Sequence, residues 1–383
     1  TDTGSVVEVA NEIDRLIVTE LSSADIQPAP SASDEDFLRR VTFDIAGTLP
    51  SPREVTLFGL DPSPHKRAKV IEKLLGTDQY AETWARYWRD VIFSKATNMR
   101  APIVNQSFVS WMTESLKAND GWDDIARAMI TASGDVRENG DTAIIFVQEG
   151  SPEDIAGEVS RIFLGIQMQC ANCHDHPWDR WKRDEFHELA AFFPRISLRP
   201  VREEMRTVTW EVVSVSNTND PQSRRRQLLA NADRIFSFMD RNRDGKLTKE
   251  EVQKNPNFAR GFDRLLQFGD KNKDGALTKT EFKEMPAPMP NQTGRGSSEH
   301  FMVDLANPAS PGTKIDPKFF VTGLSTKTGL SDLERRELLS KYITSTRNDW
   351  FARSIVNRMW AEMTGEGFYM PIDDMGPDRT PAY

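Results

Sequence analysis

The chain lacks any apolar run long enough to cross a lipid bilayer. A membrane-spanning helix needs about 18 or more consecutive apolar residues, and the apolar run at residues 143–147 is far shorter. Positive charge is also in deficit, since 49 Lys and Arg face 58 Asp and Glu for a net charge of −9. This balance disfavours nucleic acid and anionic membranes as partners. We therefore expect a soluble protein with no membrane span and no nucleic-acid partner.

The beginning of the chain has neither a methionine nor the hydrophobic region of a signal peptide. Residues 1–5 read Thr-Asp-Thr-Gly-Ser. This start is typical of a mature chain whose export signal has been removed. We therefore expect a periplasmic or extracellular location. The length of 383 residues predicts two or three globular parts, because single hydrophobic cores stop growing below that size.

Cysteine is scarce, and both cysteines fall within one pentapeptide, Cys170-Ala171-Asn172-Cys173-His174. This CxxCH pattern is the attachment signature of a c-type haem. Two thiols three positions apart can each bind one porphyrin, and the adjacent imidazole of His174 can ligate the iron. A CxxC pair also occurs as a thiol–disulfide couple, as half of a zinc site or as a structural disulfide. The histidine that follows favours covalent haem c, and the other interpretations stay open.

Three of the five histidines, His174, His176 and His187, follow Cys170 within seventeen residues. We predict that His187 or an open position lies opposite His174 on the iron, because His176 is too close to His174 to reach the other face. The simpler interpretation is that His176 bonds within its own loop and that His187 lies on the flank of a helix. Trp178 and Trp181 would wall a porphyrin or belong to the hydrophobic core, and the core is the safer interpretation for each.

Two twelve-residue segments, 240–251 and 270–281, match the EF-hand calcium loop in register. The candidate ligands at loop positions one, three, five, seven, nine and twelve are Asp240, Asn242, Asp244, Lys246, Thr248 and Glu251, then Asp270, Asn272, Asp274, Ala276, Thr278 and Glu281. Position seven contributes its main-chain carbonyl, and a glycine at position six permits the sharp turn. Leu247 and Leu277 are placed to join the loops through a short β-bridge. The sequence therefore predicts two Ca²⁺ sites.

Several lysines and arginines stand at non-ligand positions of both loops, which lowers the local negative potential and predicts moderate to weak calcium affinity. Such affinity suits calcium-rich surroundings outside the cytoplasm. Prolines at positions 286, 288 and 290 cut the last helix short, so it has little leverage for a sensor-like opening. We expect the calcium to be structural rather than regulatory.

Hydrophobic periodicity predicts a mainly α fold, a helical haem-type domain with a small β-hairpin region and an inserted EF-hand pair. One predicted helix, 152–168, leads directly into the CxxCH motif. Alternation over 208–215 predicts a strand, with 300–305 as its partner, so that the EF-hands interrupt a hairpin. The predicted domains are 1–216, continuing at about 298–325, for the CxxCH domain, 217–297 for the EF-hand pair, and 326–383 for a helical C-terminal domain.

Several motifs resemble a known family. They are residues 37–41, 47–51, 61–67, 84–88, 163–177 and 190–193, joined near the end by 335–339 and 351–360. The first six are similar to the planctomycete-type cytochrome-associated domain of unknown function, and the last two to the opening of its usual companion domain. The resemblance covers nearly the whole chain except about 217–297. It implies an exported bacterial protein, often found together with cytochrome c domains.

Two functional hypotheses follow. The first is an extracytoplasmic c-type haem protein for electron transfer or oxidative chemistry, anchored by Cys170, Cys173 and His174, with a redox partner protein or another cytochrome as its partner. The second is a calcium-stabilised extracellular binding or scaffold module whose CxxCH is a disulfide or a non-haem metal site. A hydrolase based on Asp175 and Asp179 is a distant third, because no Ser/His/Asp signature supports it. Neither an enzymatic activity nor an oligomeric state is predicted.

Overall fold

The structure is a computed structural model that describes residues 3–203, 206–215, 299–307, 310, 312–326 and 329–381. Between 216 and 298 it describes residues 236, 239, 240, 242, 244–252, 262, 266 and 269–284. The chain divides into two compact units, Thr1–Tyr80 and Ala81–Tyr383. The predicted boundaries at 216/217 and 297/298 involve residues outside these ranges, so they stay predictions.

The first unit contains four helices. They are α1 (Thr3–Ser23), α2 (Asp34–Ala46), α3 (Pro52–Leu60) and α4 (Lys66–Leu75). Ser33 caps the start of α2, where its side chain accepts a hydrogen bond from the Asp36 main-chain N–H. Asp34 then pairs with Lys66 at 2.5 Å and with Arg67 at 3.2 Å, which ties α2 to α4.

The second unit is also mainly helical. Its helices are α5 (Asp78–Phe93), α6 (Asn105–Ala118), α7 (Trp122–Thr131), α8 (Ala143–Phe146), α9 (Pro152–Val159), α10 (Arg183–Ala190), α11 (Lys249–Val252), α12 (Lys279–Glu284), α13 (Asp332–Ile343) and α14 (Asp349–Thr364). Apart from α11 and α12 of the EF-hand region, these helices pack around a large hydrophobic core in which Trp88 of α5 stacks on Trp122 of α7, with ring centroids 4.1 Å apart. The prediction of a mainly α chain is confirmed.

The small sheets are all antiparallel. The strands are β1 (Gly134–Asp135), β2 (Ile196–Glu203), β3 (Arg206–Ser214), β4 (Lys246–Thr248), β5 (Ala276–Thr278), β6 (His300–Met302), β7 (Thr313–Ile315), β8 (Lys318–Phe319) and β9 (Leu324–Ser325). The largest sheet has the order β1-β3-β2, and β4-β5, β6-β7 and β8-β9 form two-stranded pairs. The β4-β5 pair places Leu247 opposite Leu277, so the predicted bridge between the calcium loops is confirmed.

The predicted hairpin between 208–215 and 300–305 is wrong. Strand β3 pairs with β2, which the sequence analysis did not identify, while His300 in β6 pairs with Ile315 in β7. Strand β2 lies immediately before β3 in the chain, and a hairpin between neighbouring strands is the shortest connection available. The EF-hand pair therefore does not interrupt a hairpin.

The helix predicted over 152–168 is also shorter than expected. Helix α9 passes into a single π-helical stretch at Ser160–Leu164 and stops at Gly165, whose φ of 65° ends the helix in the left-handed region. A Cβ at Gly165 would also come within 2.5 Å of Cε of Met375. The CxxCH motif therefore lies on a separate 3₁₀ turn, Gln169–Asn172, rather than on the end of a helix.

Buried ion pairs attach the C-terminal segment to the rest of the second unit. Arg161 donates to Glu158 and, at 2.6 Å, to Asp373, which also pairs with Arg358. Arg336 is fully buried, and its guanidinium donates to Asp332 and to the main-chain carbonyls of residues 130 and 132. Paired charges are the form in which ionised side chains occur inside proteins. These contacts fix helices α13 and α14 against the core that carries the CxxCH turn.

Candidate functional site

The CxxCH turn presents two thiols to solvent on a firmly anchored backbone. Cys170 and Cys173 are exposed and free. Met168, which precedes them, and Ala171, which lies between them, are fully buried. The main-chain N–H of Ala171 donates to the carbonyl of Met168 at 2.8 Å, and that of Cys173 donates to the carbonyl of Cys170 at 3.4 Å. The two cysteines therefore lie on one short turn and are both accessible to a ligand.

His174 is exposed, and its hydrogen bond determines its tautomer. Its Nδ1 lies 2.7 Å from the main-chain carbonyl oxygen of Asp175. Because a carbonyl oxygen can only accept, Nδ1 carries the hydrogen and the neutral ring keeps a lone pair on Nε2. A main-chain carbonyl on one ring nitrogen is the usual arrangement of a histidine that ligates metal through the other. His174 is thus prepared to act as a ligand through Nε2.

The loop that follows is fixed to the start of α10 by Asp175. The carboxylate of Asp175 accepts hydrogen bonds from the Arg183 main-chain N–H at 3.0 Å and from Nζ of Lys182 at 2.9 Å. The Arg183 N–H, and then Lys182, hold the pKa of Asp175 below its usual value. Asp175 is exposed and occupied by these donors, which suits a structural role in the loop.

His176 bonds within its own loop, as the simpler interpretation predicted. Its ring Nδ1 accepts a hydrogen bond from the main-chain N–H of Asp179 at 3.0 Å, and the main-chain N–H of His176 donates to the carbonyl of Trp181 at 2.8 Å. The two nearby tryptophans differ sharply in environment. Trp181 is buried against Phe320 and Trp350, which confirms its core role, whereas Trp178 is 83% exposed, which contradicts one.

His187 forms a buried pair with His300. Its Nδ1 lies 2.8 Å from Nε2 of His300, and its Nε2 lies 3.1 Å from the carbonyl oxygen of Asn172, inside the CxxCH turn. Both histidines are 3% exposed and their rings are stacked with centroids 5.1 Å apart. Burial lowers the pKa of His187 to about 4 and that of His300 to about 3, so both rings are neutral at physiological pH.

These contacts bear on the prediction that His187 ligates the iron. Both of its ring nitrogens already have partners, so a ligand role would require it to give up one buried hydrogen bond. These contacts therefore do not favour His187 as an iron ligand. The partner His300 was missed as a functional residue, since it lies 113 positions away and no local pattern connects the two.

The first calcium loop has the internal hydrogen bonds that an EF-hand needs. The Asp240 carboxylate accepts the main-chain N–H groups of Asp244 and Gly245 at 3.1 and 2.9 Å. At the other end, the Glu251 carboxylate turns back to accept from Thr248 N–H at 3.1 Å and from Asn242 N–H at 3.4 Å. The carboxylates at positions one and twelve thus face into the same loop.

The second loop repeats this arrangement. Asp270 accepts from the N–H groups of Asp274 and Gly275 at 3.1 and 2.8 Å, and Glu281 accepts from those of Thr278 and Lys271 at 3.0 and 3.1 Å. A compact apolar cluster supports the two loops. It consists of Phe236, Met239, Leu247, Val252, Phe262 and Leu277, with Leu266 packed against it.

The loops differ in one contact. Nζ of Lys246 in the first loop lies 2.7 Å from Oδ2 of Asp274, the position-five ligand of the second. Ala276 occupies the equivalent position in the second loop, so Asp244 has no reciprocal ammonium from there. The contact with Asp274 raises the pKa of Lys246, and the same contact lowers the pKa of Asp274. The two calcium sites are therefore electrostatically unequal.

The donor sets can be compared with the groups they are expected to hold. The EF-hand loops offer carboxylate, amide, hydroxyl and main-chain oxygens, which are the hard ligands that Ca²⁺ prefers. The CxxCH turn offers two accessible thiols and a prepared imidazole, which fits haem c. Over the described part of the chain, no three His, Cys, Asp or Glu side chains converge closely enough to hold a metal ion without other donors. In the EF-hands, those other donors are the Asn side chain and the main chain.

Comparisons with known families cover most of the chain. Residues 12–197 match the family described as protein of unknown function DUF1549 (PSCyt2), and residues 335–382 match protein of unknown function DUF1553 (PSD1). Residues 232–254 and 262–286 match the EF hand. No curated protein and no solved structure gives a significant match. Within the described residues, no helix has both the length and the hydropathy of a membrane span.

The matches confirm the two domains and the EF-hand pair that the motifs predicted, and they leave haem at the CxxCH motif untested. The chain thus combines regions that match DUF1549 and DUF1553 with a calcium-binding EF-hand region.

Proposed function

We propose that this chain is an extracytoplasmic c-type haem protein that transfers electrons or supports oxidative chemistry, with calcium in a structural role. The observation that carries the proposal is the CxxCH turn, where two exposed free thiols precede a histidine whose Nδ1–H is held by the Asp175 carbonyl. This leaves Nε2 of His174 as a ligand. A disulfide does not use the adjacent histidine, whereas ligation of a metal such as the haem iron through Nε2 requires that tautomer.

Attachment requires only the side chains of the turn. The thiols of Cys170 and Cys173 would each add across one vinyl group, so that a carbon–sulfur bond forms, the thiol hydrogen moves to the neighbouring carbon and nothing leaves. When bound, haem supplies one-electron redox chemistry. The exposure of both cysteines and of His174 would leave the haem near the surface, where a partner protein could approach it. A redox protein or another cytochrome is the partner that fits.

The EF-hands fit a supporting role outside the cytoplasm. Prolines at positions 286, 288 and 290 closely follow helix α12 (Lys279–Glu284) in the sequence, so this helix offers little leverage for a large opening motion. The Lys246–Asp274 pair opposes tight binding at the second loop, which suits an environment with abundant calcium. These features support stabilisation rather than signalling, and they support the extracytoplasmic location.

A second candidate is the calcium-stabilised binding or scaffold module. The feature that favours it is that Cys170 and Cys173 are both free and share one turn, so they could form and break a disulfide without haem. Among the described residues, no three His, Cys, Asp or Glu side chains converge closely enough to hold a metal ion, so a non-haem metal at the turn would need further ligands.

The deciding experiment is to export the chain in a bacterial host that carries the cytochrome c maturation machinery, beside a known cytochrome c as a loading control. We expect a Soret absorbance that survives acid acetone extraction and an intact mass increased by one haem. The Cys170→Ser/Cys173→Ser variant should lose both signals. His174→Ala should change the visible spectrum, whereas His65→Ala, which removes an exposed histidine of the first unit, should not.

The outcomes separate the two candidates. A colourless protein of bare polypeptide mass, in a host that loads the control cytochrome, refutes the haem proposal. If the same protein then has two titratable thiols that interconvert with a disulfide, the scaffold module with a redox-active CxxC is supported instead.

A further inference from the structure

A hydrogen-bonded chain of buried groups ends on the CxxCH turn. It runs from Nε2 of His300 to Nδ1 of His187 at 2.8 Å, and from Nε2 of His187 to the carbonyl oxygen of Asn172 at 3.1 Å. Asn172 lies between Cys170 and Cys173. His300 in strand β6 is thereby connected, through His187, to the main-chain carbonyl oxygen of Asn172 between the two cysteines.

The direction of this chain follows from the acceptor at its end. The Asn172 carbonyl can only accept, so Nε2 of His187 carries a hydrogen. Because burial keeps His187 neutral, its Nδ1 is a lone pair and must accept the hydrogen on Nε2 of His300. The remaining nitrogen of His300 faces Glu153, whose Oε1 is 3.9 Å away, beyond hydrogen-bond distance. His300 is thus the donor to Nδ1 of His187, in the tautomer that the Asn172 carbonyl requires.

His300 is well placed to act as a fixed donor. It is paired with Ile315 across the β6-β7 ladder. The preceding residue, Glu299, accepts hydrogen bonds from Arg195 at 2.7 Å and from Arg335 at 3.1 Å. The contacts of Glu299 thus anchor the start of β6 without involving the CxxCH turn, and movement of His300 would have to break several contacts at once.

We propose that His300 and His187 are positioning residues of the CxxCH turn. They hold the Asn172 carbonyl so that the thiols of Cys170 and Cys173 are placed to react as a pair. The Asn172 carbonyl has one other donor, Nε of Arg183 at 3.3 Å. The histidine pair supplies the shorter and more deeply buried of the two bonds. In this role neither histidine contacts the group with which the thiols react.

The proposal predicts how strongly the two thiols behave as a pair. In the haem-free full chain with calcium, equilibrium with oxidised and reduced glutathione reports the effective concentration of Cys170 relative to Cys173, since two thiols and one oxidised glutathione exchange for one disulfide and two reduced glutathiones. His300→Phe keeps a ring but removes the donor, and should lower this effective concentration about five-fold, the factor expected for one hydrogen bond. His300→Gln keeps an N–H donor and should stay within about two-fold of the wild type.

His65→Phe is the matched control, since it makes the same substitution at an exposed position of the first unit and should change nothing. An effective concentration for His300→Phe equal to that of the wild type and of His65→Phe overturns the proposal. So does a loss in His300→Gln as large as that in His300→Phe, because filling the volume would then matter and donation would not.

A measurement on the wild type keeps the inference testable if His300→Phe does not fold. Nitrogen-15 NMR at neutral pH should show His187 with a protonated Nε2 and an unprotonated Nδ1, and the opposite tautomer overturns the chain of donors. Only one further consequence, a lower yield of haem attachment in His300→Phe, rests on the proposed function. Absence of haem from the wild type would refute the proposed function and leave the glutathione and NMR results to decide this one.

Discussion

Acid should destabilise the fold through the buried His187–His300 pair, and the sign follows from its pKa values. Each histidine titrates near 6.5 when unfolded, but at about 4 and about 3 when buried in the fold. Below pH 6.5 the unfolded chain therefore binds more protons than the folded one, and stability decreases as pH falls towards the folded-state values. Above pH 6.5 both histidines are neutral in both states, so the pair makes no contribution to the pH dependence of stability.

The size of the effect can be worked from the same values. One unit of pKa shift corresponds to about 1.4 kcal/mol, so each histidine can lower the free energy of unfolding by up to about 1.4 kcal/mol per pH unit between the two pKa values. Over the window from pH 6.5 to pH 4.5 the pair accounts for up to about 5 kcal/mol. Because the rings share one hydrogen bond and titrate together, this figure is an upper bound.

The assay is urea denaturation of the calcium-loaded chain at half-unit steps from pH 7.5 to pH 4.5, for the wild type and for His187→Gln/His300→Gln. The double variant keeps polar side chains but does not titrate in this range, and it retains Glu153, whose own pKa is raised by burial. We expect the wild type to lose stability more steeply than the variant below pH 6.5. Parallel pH profiles for the two proteins would show that the histidines do not change protonation on unfolding, and the reasoning would be refuted.

Three further predictions concern the calcium loops and the C-terminal attachment. Lys246→Met should raise calcium affinity at the second loop several-fold by freeing Asp274, measured by calorimetric titration. Lys273→Met removes a charge within that loop without that contact and should do less, and equal effects would refute a contact-specific role. Removal of calcium by a chelator should lower the thermal midpoint, since ligand at a hundred times its dissociation constant stabilises by about 2.7 kcal/mol per site, and an unchanged midpoint contradicts structural calcium. Arg336→Met should lower the free energy of unfolding by about 3 to 5 kcal/mol, because it leaves the buried Asp332 carboxylate without its cation. The double variant Arg336→Met/Asp332→Asn should lose less stability in urea denaturation, and equal losses would contradict the effect of an unpaired buried charge.

The features predicted well from the sequence are those whose parts lie close together in the chain. The calcium ligands of each loop fall within twelve residues, so the spacing alone predicts the fold of the loop and the pairing of Leu247 with Leu277. The helical periodicities are local in the same sense. The neighbourhood of Cys170, Cys173 and His174 was likewise visible as a pattern of five residues.

The errors concern which strands pair and where a helix ends, and both depend on contacts made by the folded chain. Alternation identified β3 but not its neighbour β2, and it therefore assigned β3 to the more distant segment that contains β6. The helical segment after α9 ends at Gly165, whose carbonyl accepts a hydrogen bond at 2.7 Å from the main-chain N–H of Met375, more than two hundred residues away. Periodicity alone extended that helix into the CxxCH motif.

The sequence by itself determined which polar groups this protein has at fixed local spacings, namely two thiols beside an imidazole and two sets of calcium-binding oxygens. Only the tertiary structure decided how these groups are held. It showed Nε2 of His174 left with a lone pair, His187 engaged with His300 and Asn172, and Lys246 paired with Asp274 across two loops. Ligand identity is a property of single residues, whereas tautomer, burial and ion pairing depend on neighbours that meet only when the chain folds.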